Sequence, residues 1–533
     1  MQKTTLKKKK ENRPAGGQSK SRTDESKMKK HYKGEITIYL TLSLPIMLSL
    51  FFGALEAVRI SAYRVVTDCA FRSAVISVFG EYHRELFREY DLFFIDLSYL
   101  TNEASLKKLS DRVSMRMEEN LNPQEERILP AGDFFGRSEV DVEILCASRA
   151  TDLLGSEMKE QVIEYMKDFT GLDFVRDMQA LIQIKESENL SEEELGKALE
   201  EADRSREEIR NAKVSDSASE EEVISIKETG NLDIQLKFLS PLDLLILKED
   251  VSEVSGQSFN LFEAPSTRKE VLNAGNETFA DLLSDPVSNI VFDEYVMQKC
   301  GNYIHPKEGS HLKYEAEYLY AGTCLDSVNL SKTIHSVFAI RTAANALSIK
   351  RDKEKMAIIK AVSAALSAAT RVPDQVYEAT IILIWAAAES TYDLEDLLNG
   401  KKVAFIKDGK EFHSALSGGV DSLSESACDY SNLSGEEQRS LLPVETSIGS
   451  SSGAGSLGGK IKLSYEDYLR ILLFGVPSAA KSLRLMDVVE LDIRQTEDNE
   501  TFRIDQCVDA VDFRARVYAE DGTEFELIRS YAY

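Results

Sequence analysis

"KGEITIYLTLSLPIMLSLFFGALEAVRISAYR", Lys33–Arg64, decides how the rest of the chain is read. A basic flank leads into twenty uncharged residues, Ile36–Leu55, before Glu56 and Arg59 bring charge back. At about 1.5 Å rise per residue such a run spans roughly 30 Å, the thickness of a bilayer's hydrocarbon core. Eleven of the twenty are Leu, Ile or Phe. At about −0.3 to −0.6 kcal/mol each, they outweigh two Thr, two Ser and Pro45. A secretory signal has a shorter apolar stretch, about 7–15 residues, and ends at an Ala-x-Ala-like site. Gly53-Ala54-Leu55 fits such a site poorly, so the run reads as a membrane anchor over 35–56.

Charge sets the expected orientation. Lys27, Lys29, Lys30 and Lys33 crowd the N-terminal side, with Lys7–Lys10 behind them. The positive-inside rule leaves that end in the cytoplasm and the body after Glu56 outside, a single-pass topology in the cell membrane. "ATIILIWAAA" (Ala379–Ala388) is too short to span and reads as a core helix. Beyond Glu56 the apolar residues Val58, Ala62, Val65, Cys69, Ile76, Phe79, Leu86 and Tyr90 recur at helical spacing, so an amphipathic extension is expected to about residue 90.

The chain has 533 residues, 64 basic and 90 acidic, for a net charge of −26. Residues 1–34 carry +9 of this and the remainder −35. A body that acidic repels phosphate backbones, so no nucleic-acid partner is expected, and the lipid bilayer is. The basic tail suits anionic headgroups at about 1 kcal/mol per Lys or Arg near the surface. Six cysteines form no disulfide framework. Cys300 and Cys324 are either a bridge in an oxidising space or two buried thiols.

Composition divides the chain into a disordered tail (1–34), the anchor (35–56) and a helical extension with the first part of an ectodomain (57–184). An acidic low-complexity insertion (185–230), a helical core (231–440), a Gly/Ser linker (441–462) and a final segment (463–533) follow. Ala-rich stretches separated by Pro373 predict a helical bundle. Ser464 and Asp467 form a capping box before "YEDYLRILLF". Asp521-Gly522, between "VDFRARVYA" and "TEFELIRSY", predicts a hairpin. The expected fold is α+β, mainly α, with a small C-terminal β-hairpin or sheet.

Motifs for chemistry are thin. "GAGSLGG" places Gly453, Gly455 and Gly458 in G-x-G-x-x-G order, but in a Ser/Gly tract without a preceding strand it reads as a linker. The six histidines are scattered, without H-E-x-x-H, and no G-x-S-x-G elbow occurs. Glu81, Glu85 and Glu89 with His83, Arg84 and Arg88 read as ion pairs on a helix surface. No catalytic residue and no cofactor is expected, and the chain reads as a non-enzyme. The one metal candidate is Asp96 with Ser98, the first two positions of a D-x-S-x-S oxygen-ligand motif whose third position is Leu100.

Gly34, Pro45, Gly53 and Glu56 fall at the spacing of TadE/TadG-like proteins of tight-adherence (Flp, type IVb) pilus systems, which this N-terminus resembles. In that family a prepilin peptidase cuts after the Gly, making Gly34-Glu35 a processing candidate. A Glu stands five residues on, where this chain has Tyr39. Pro45, Gly53 and Glu56 then become candidates for helix packing in the membrane. "EYHRELFREYDLFFIDLSY", "LKYEAEYLYAG", "IRTAANAL" and "LSYEDYLRILLF" resemble an uncharacterised family of Gram-positive membrane proteins with a TadE-like start and a domain of unknown function, over roughly residues 30–533. The resemblance implies a pseudopilin-like or accessory part in a pilus or secretion system, with other pilus components or like helices as partners. A membrane-tethered adhesion or von Willebrand-like metal-binding module, and a cell-envelope enzyme with an unrecognised site, are the alternatives.

Overall fold

A computed structural model describes residues 32–99, 101, 103–122, 137–167, 176, 178–180, 182, 254–273, 285–370, 373–408, 411–414 and 461–533. The basic tail up to His31, the acidic insertion, Cys428 and the Gly/Ser tract lie outside them. The fold is α+β and mainly helical, with one long apolar helix near the N-terminus and a small sheet that includes the C-terminal strands. Two compact units are defined: Met1–Ala74 with Val113–Asp141 and Ala515–Leu527, and Val75–Arg112 with Val142–Arg514 and Ile528–Tyr533.

The first helix, α1, runs from Tyr32 to Phe79 as one 48-residue element through Pro45. Proline lacks the N–H that would bond the carbonyl of Thr41, a loss that membrane helices tolerate. From Ile38 to Leu55 its large apolar side chains are exposed; Tyr39 and Leu50 keep 76% and 70% of their surface. From Tyr63 one face becomes buried: Tyr63, Thr67, Ala70, Phe71 and Ala74, the i, i+4, i+7 spacing of an amphipathic helix. In the first unit, Tyr63 packs edge-on against Phe525 and its hydroxyl hydrogen-bonds Ser138.

The extension to residue 90 is broken earlier than the sequence predicts. α1 stops at Phe79, and Gly80 follows where an added Cβ would come within 3.2 Å of Ser77 O. A short helix, α2 (Arg84–Tyr90), then restarts with His83 as its N-cap, Nδ1 accepting from Leu86 N at 3.1 Å. That fixes the tautomer, so Nε2–H donates to Asn499 Oδ1 at 3.0 Å. Glu81 and His83 are therefore off the helix. Glu81 pairs with Arg112, the Arg88–Glu85 pair has the expected spacing of three, and Arg88 also reaches its neighbour Glu89.

The remaining elements are β1 (Ile95–Asp96), α3 (Leu106–Leu121), β2 (Ser138–Arg149), α4 (Ser156–Met166), α5 (Lys269–Asn273), α6 (Pro286–Lys299), α7 (Glu315–Ala321), α8 (Asp326–Arg351), α9 (Lys353–Thr370), α10 (Asp374–Leu398), β3 (Val403–Ala404), β4 (Lys462–Leu463), α11 (Tyr465–Phe474), α12 (Ser478–Ile493), β5 (Cys507–Ala519) and β6 (Glu524–Ala532). β5 is the sheet's central strand, in the order β1-β5-β2, and β6 pairs with it as well. β1 runs antiparallel, Ile95 opposite Val508 and Asp96 opposite Cys507. Val511, Phe513, Ala515 and Val517 of β5 are buried, alternating with Asp512, Arg514, Arg516 and Tyr518. The predicted hairpin is present: Gly522, at φ 84°, donates to Ala519 O, and Thr523 O accepts from Ala519 N. Strand β2 falls in the first part of the body, where no element is expected.

In the second unit α8, α9 and α10 pack together, as the Ala-rich pattern predicts, with α8 against α10 the most extensive pairing. Ile381, Ile382, Trp385 and Ala386 join Ile349, Ile359 and Tyr377 in one buried cluster. The capping box forms, Ser464 Oγ accepting from Asp467 N while Asp467 accepts from Ser464 N. Cys300 and Cys324 are both free thiols.

Candidate functional site

Two features stand out: the bare apolar stretch of α1 and a charged centre enclosed by the helical bundle. Within Thr37–Phe79, the most apolar 18-residue window has none of its residues buried. Any globular helix hides its apolar stripe against a neighbour. A helix apolar all round and uncovered by protein is one that a hydrocarbon medium would cover. It is long and apolar enough to span a membrane.

The residues singled out along this helix have distinct environments. Gly34 and Glu35 lie on the helical backbone, and their side chains are outside the described residues. At Gly53 a Cβ would meet nothing within 4 Å. Glu56 pairs with Arg59 on its own helix at 2.8 Å, and Arg59 reaches Asp521 in the β5–β6 turn. That Arg59–Asp521 tie, bridging 462 positions in sequence, had no sequence signal.

Asp96 and Ser98 do come together, but on each other. Ser98 N donates to Asp96 Oδ1 at 2.8 Å and Ser98 Oγ to Oδ2 at 2.5 Å. Both carboxylate oxygens are thereby engaged in a turn of the side-chain-to-backbone type, and Asp96 sits in a two-residue strand. The residues form a local structural turn, and the arrangement does not favour the metal reading.

The charged centre was not anticipated. Arg341 on α8 and Asp393 on α10 are fully buried, with Nη2 2.6 Å from Oδ2. Arg341 also donates to Ala404 O, Phe405 O, Tyr468 Oη and Asn345 Oδ1, each at 3.0 Å. One turn before Asp393, Glu389 accepts from the backbone of His413 and Ser414 and from Ser414 Oγ. Lys407 pairs with both acids, reaching Asp393 Oδ1 at 2.5 Å. Two cations and two anions cancel, which is how charge survives inside a core.

Protonation follows from these contacts. Burial opposes the ionised form of Glu389, but the His413 and Ser414 donors and the Lys407 ammonium hold it down at about 2. Burial would likewise discharge Arg341, and Tyr468 and Asp393 more than offset it, so the guanidinium stays charged. His413 is raised, chiefly by its hydrogen bond to Glu389.

Glu389, Asp393 and His413 could offer one ligand atom each, within 4.8 Å of one another. The Lys407 ammonium already bridges the two carboxylates, however, and a divalent ion there would face that positive charge at contact range. The donor set is that of an ion-pair lock rather than a cation cage.

A second buried network is of the same kind. Tyr90 Oη donates to Asp492 Oδ2 at 2.6 Å, and Lys307 Nζ reaches the same oxygen at 2.9 Å. Cys300 is buried nearby, and burial pushes its thiol up, away from the reactive thiolate.

Residues 221–519 match the model of DUF5702, a family of unknown function. The match covers more than half of the chain, and the chain belongs to that family. It includes α5 to α12 and β5, while β1, β2 and β6, the other strands of the sheet, lie outside it. No curated protein and no solved structure matches.

Proposed function

We propose that this member of a family of unknown function is a non-catalytic, single-pass membrane protein that holds an acidic, helical body outside the cell membrane. The observation that carries the proposal is the uncovered apolar surface of α1 from Ile38 to Leu55. At about 25 cal/mol per Å² of apolar surface, leaving such a segment in water is strongly unfavourable, and lipid removes that penalty. The basic tail sets the orientation, N-terminus inside.

The finer reading is a pseudopilin-like or accessory component of a tight-adherence pilus or secretion system. It rests on Gly34, Pro45, Gly53 and Glu56 and on the wider resemblance of the body. α1 would work mechanically, anchoring the body and lying beside like helices, while the bundle docks partners. The charged centre supports a structural role for the body: its charges are mutually neutralised, and Asp393, Asn345, Tyr468 and two backbone carbonyls together fill the guanidinium's donor set.

Alkaline carbonate extraction of membranes tests the anchor. The full chain should stay with the pellet, and a variant lacking Ile36–Leu55 should move to the soluble fraction. Full-length protein released by carbonate would refute the anchor. Intact-mass measurement of membrane-extracted protein tests processing: loss of residues 1–34 supports the prepilin reading, and an uncut N-terminus contradicts it.

A further inference from the structure

Apart from the centre at Arg341, the second unit buries a lysine against an amide. Lys159 on α4 is 1% exposed. Its Nζ donates to Asn289 Oδ1 on α6 at 3.0 Å and to Ser478 Oγ at the start of α12 at 2.6 Å. Four residues after Asn289, on the same face of α6, stands Asp293, 3% exposed. One of its oxygens pairs with the fully buried Lys481, and the other, Oδ2, is buried without a hydrogen-bond partner among the described residues. The Phe292 ring lies 5.9 Å from both ammonium nitrogens.

We propose that Lys159 and Asn289 join in an intramolecular isopeptide bond, with Asp293 moving the proton. The neutral Lys159 amine attacks Cγ of Asn289 and forms a C–N bond. The tetrahedral carbon then expels its own amide nitrogen as the C–Nδ2 bond breaks. Asp293 carries the proton released by the lysine nitrogen to that leaving group. One amine and one primary amide become one secondary amide and one ammonia, with no change of oxidation state and no co-reactant.

Geometry and electrostatics agree with each part. With Nζ 3.0 Å from Oδ1 and a C=O bond of about 1.2 Å, Cγ lies within roughly 4.2 Å, which a turn of the side-chain amide shortens toward attack distance. Burial, followed by the charge of Lys481, lowers Lys159 to about 8, against the opposing pull of Asp293 and Asp285. A desolvated lysine beside a second cation is an activated nucleophile. Burial raises Asp293 to about 6 against the pull of Lys481 and Lys159, with Glu294 adding to the rise, so the carboxyl can hold and return a proton. Lys407, by contrast, faces two carboxylates, which have no ammonia to lose. The bond would tie α4, outside the family-matched span, to α6 inside it, across 130 positions.

The test is mass spectrometry of the full-length chain, purified in detergent and held near pH 8, followed by digestion after denaturation. The expected result is a chain lighter by one ammonia and a branched peptide joining Lys159 to Asn289. Lys159→Arg and Asp293→Asn should keep the full mass. An unchanged wild-type mass without the branched peptide overturns the proposal. So does an ammonia loss that persists in Lys159→Arg, which would mark succinimide formation at an asparagine.

Discussion

Arg341 and Asp393, both without exposed side-chain surface, meet at 2.6 Å between the two most extensively packed helices of the bundle. The pair does more than neutralise itself. Arg341 also takes the carbonyls of Ala404 and Phe405, so α8, α10 and the β3 segment are fixed by one guanidinium. Apolar Ala-rich faces pack in several registers, and a buried polar contact of defined geometry singles out one of them.

Removing one partner should therefore be costly. Arg341→Met, measured by urea unfolding of the full chain in detergent, should lose about 3–5 kcal/mol because Lys407 alone is then left facing the two buried carboxylates of Asp393 and Glu389. The double change Arg341→Met with Asp393→Leu should recover part of that loss. A loss below about 1 kcal/mol in the single variant would mean the pair is not an integral part of the fold.

Glu317 predicts a pH dependence. It is fully buried on α7, accepting from Tyr303 N at 2.9 Å and Tyr465 Oη at 2.8 Å, and burial still lifts it from 4.5 to about 7. The folded state then binds this proton more tightly than the unfolded one. Its stabilising contribution is present below pH 4.5 and disappears as pH rises through about 7. Glu317→Gln should flatten the fall in stability across that window, by at most roughly 3 kcal/mol. An unchanged slope would contradict the assignment.

His83 acts in the opposite direction. Burial lowers its pKa and it works as a neutral cap, accepting at Nδ1 and donating at Nε2. Its contribution is present above about pH 6.5 and falls as pH drops through the lower folded value. Thermal melts of His83→Asn, which keeps an N-cap acceptor, should lose less stability between pH 7 and 5 than the wild type. Equal losses would rule out His83 as the group responsible.

If Lys407 locks the acidic pair, metal should not matter to the folded chain. Melting temperature should be the same with EDTA, calcium or magnesium. A rise with a divalent cation that is lost in Asp393→Asn would show that an ion displaces the lysine.

The bundle, the capping box at Ser464 and the hairpin at Asp521-Gly522 were legible in the sequence because each is a local pattern. The break after Phe79 was not, since the apolar period runs on past it into Leu86 and Tyr90, and only Gly80 hints at the stop. Val140, Val142 and Ile144 of β2 do alternate, a short period-2 signal on which no expectation rests. The Asp96–Ser98 motif was visible and turned out to be a closed turn. The charged centre could not be read at all. Its members are spread from residue 341 to 468, and nothing local marks Asp393 or Lys407 as buried.

The apolar stretch of α1 is proposed to lie in the membrane with the body outside, and Cys69 and Cys146, both exposed, allow a direct measurement. Intact cells are treated with a membrane-impermeant maleimide, and labelling of the wild type is compared with that of Cys69→Ser with Cys146→Ser. Labelling at these two positions before lysis is the predicted result. Labelling there only after the membrane is broken would place the body in the cytoplasm and contradict that topology.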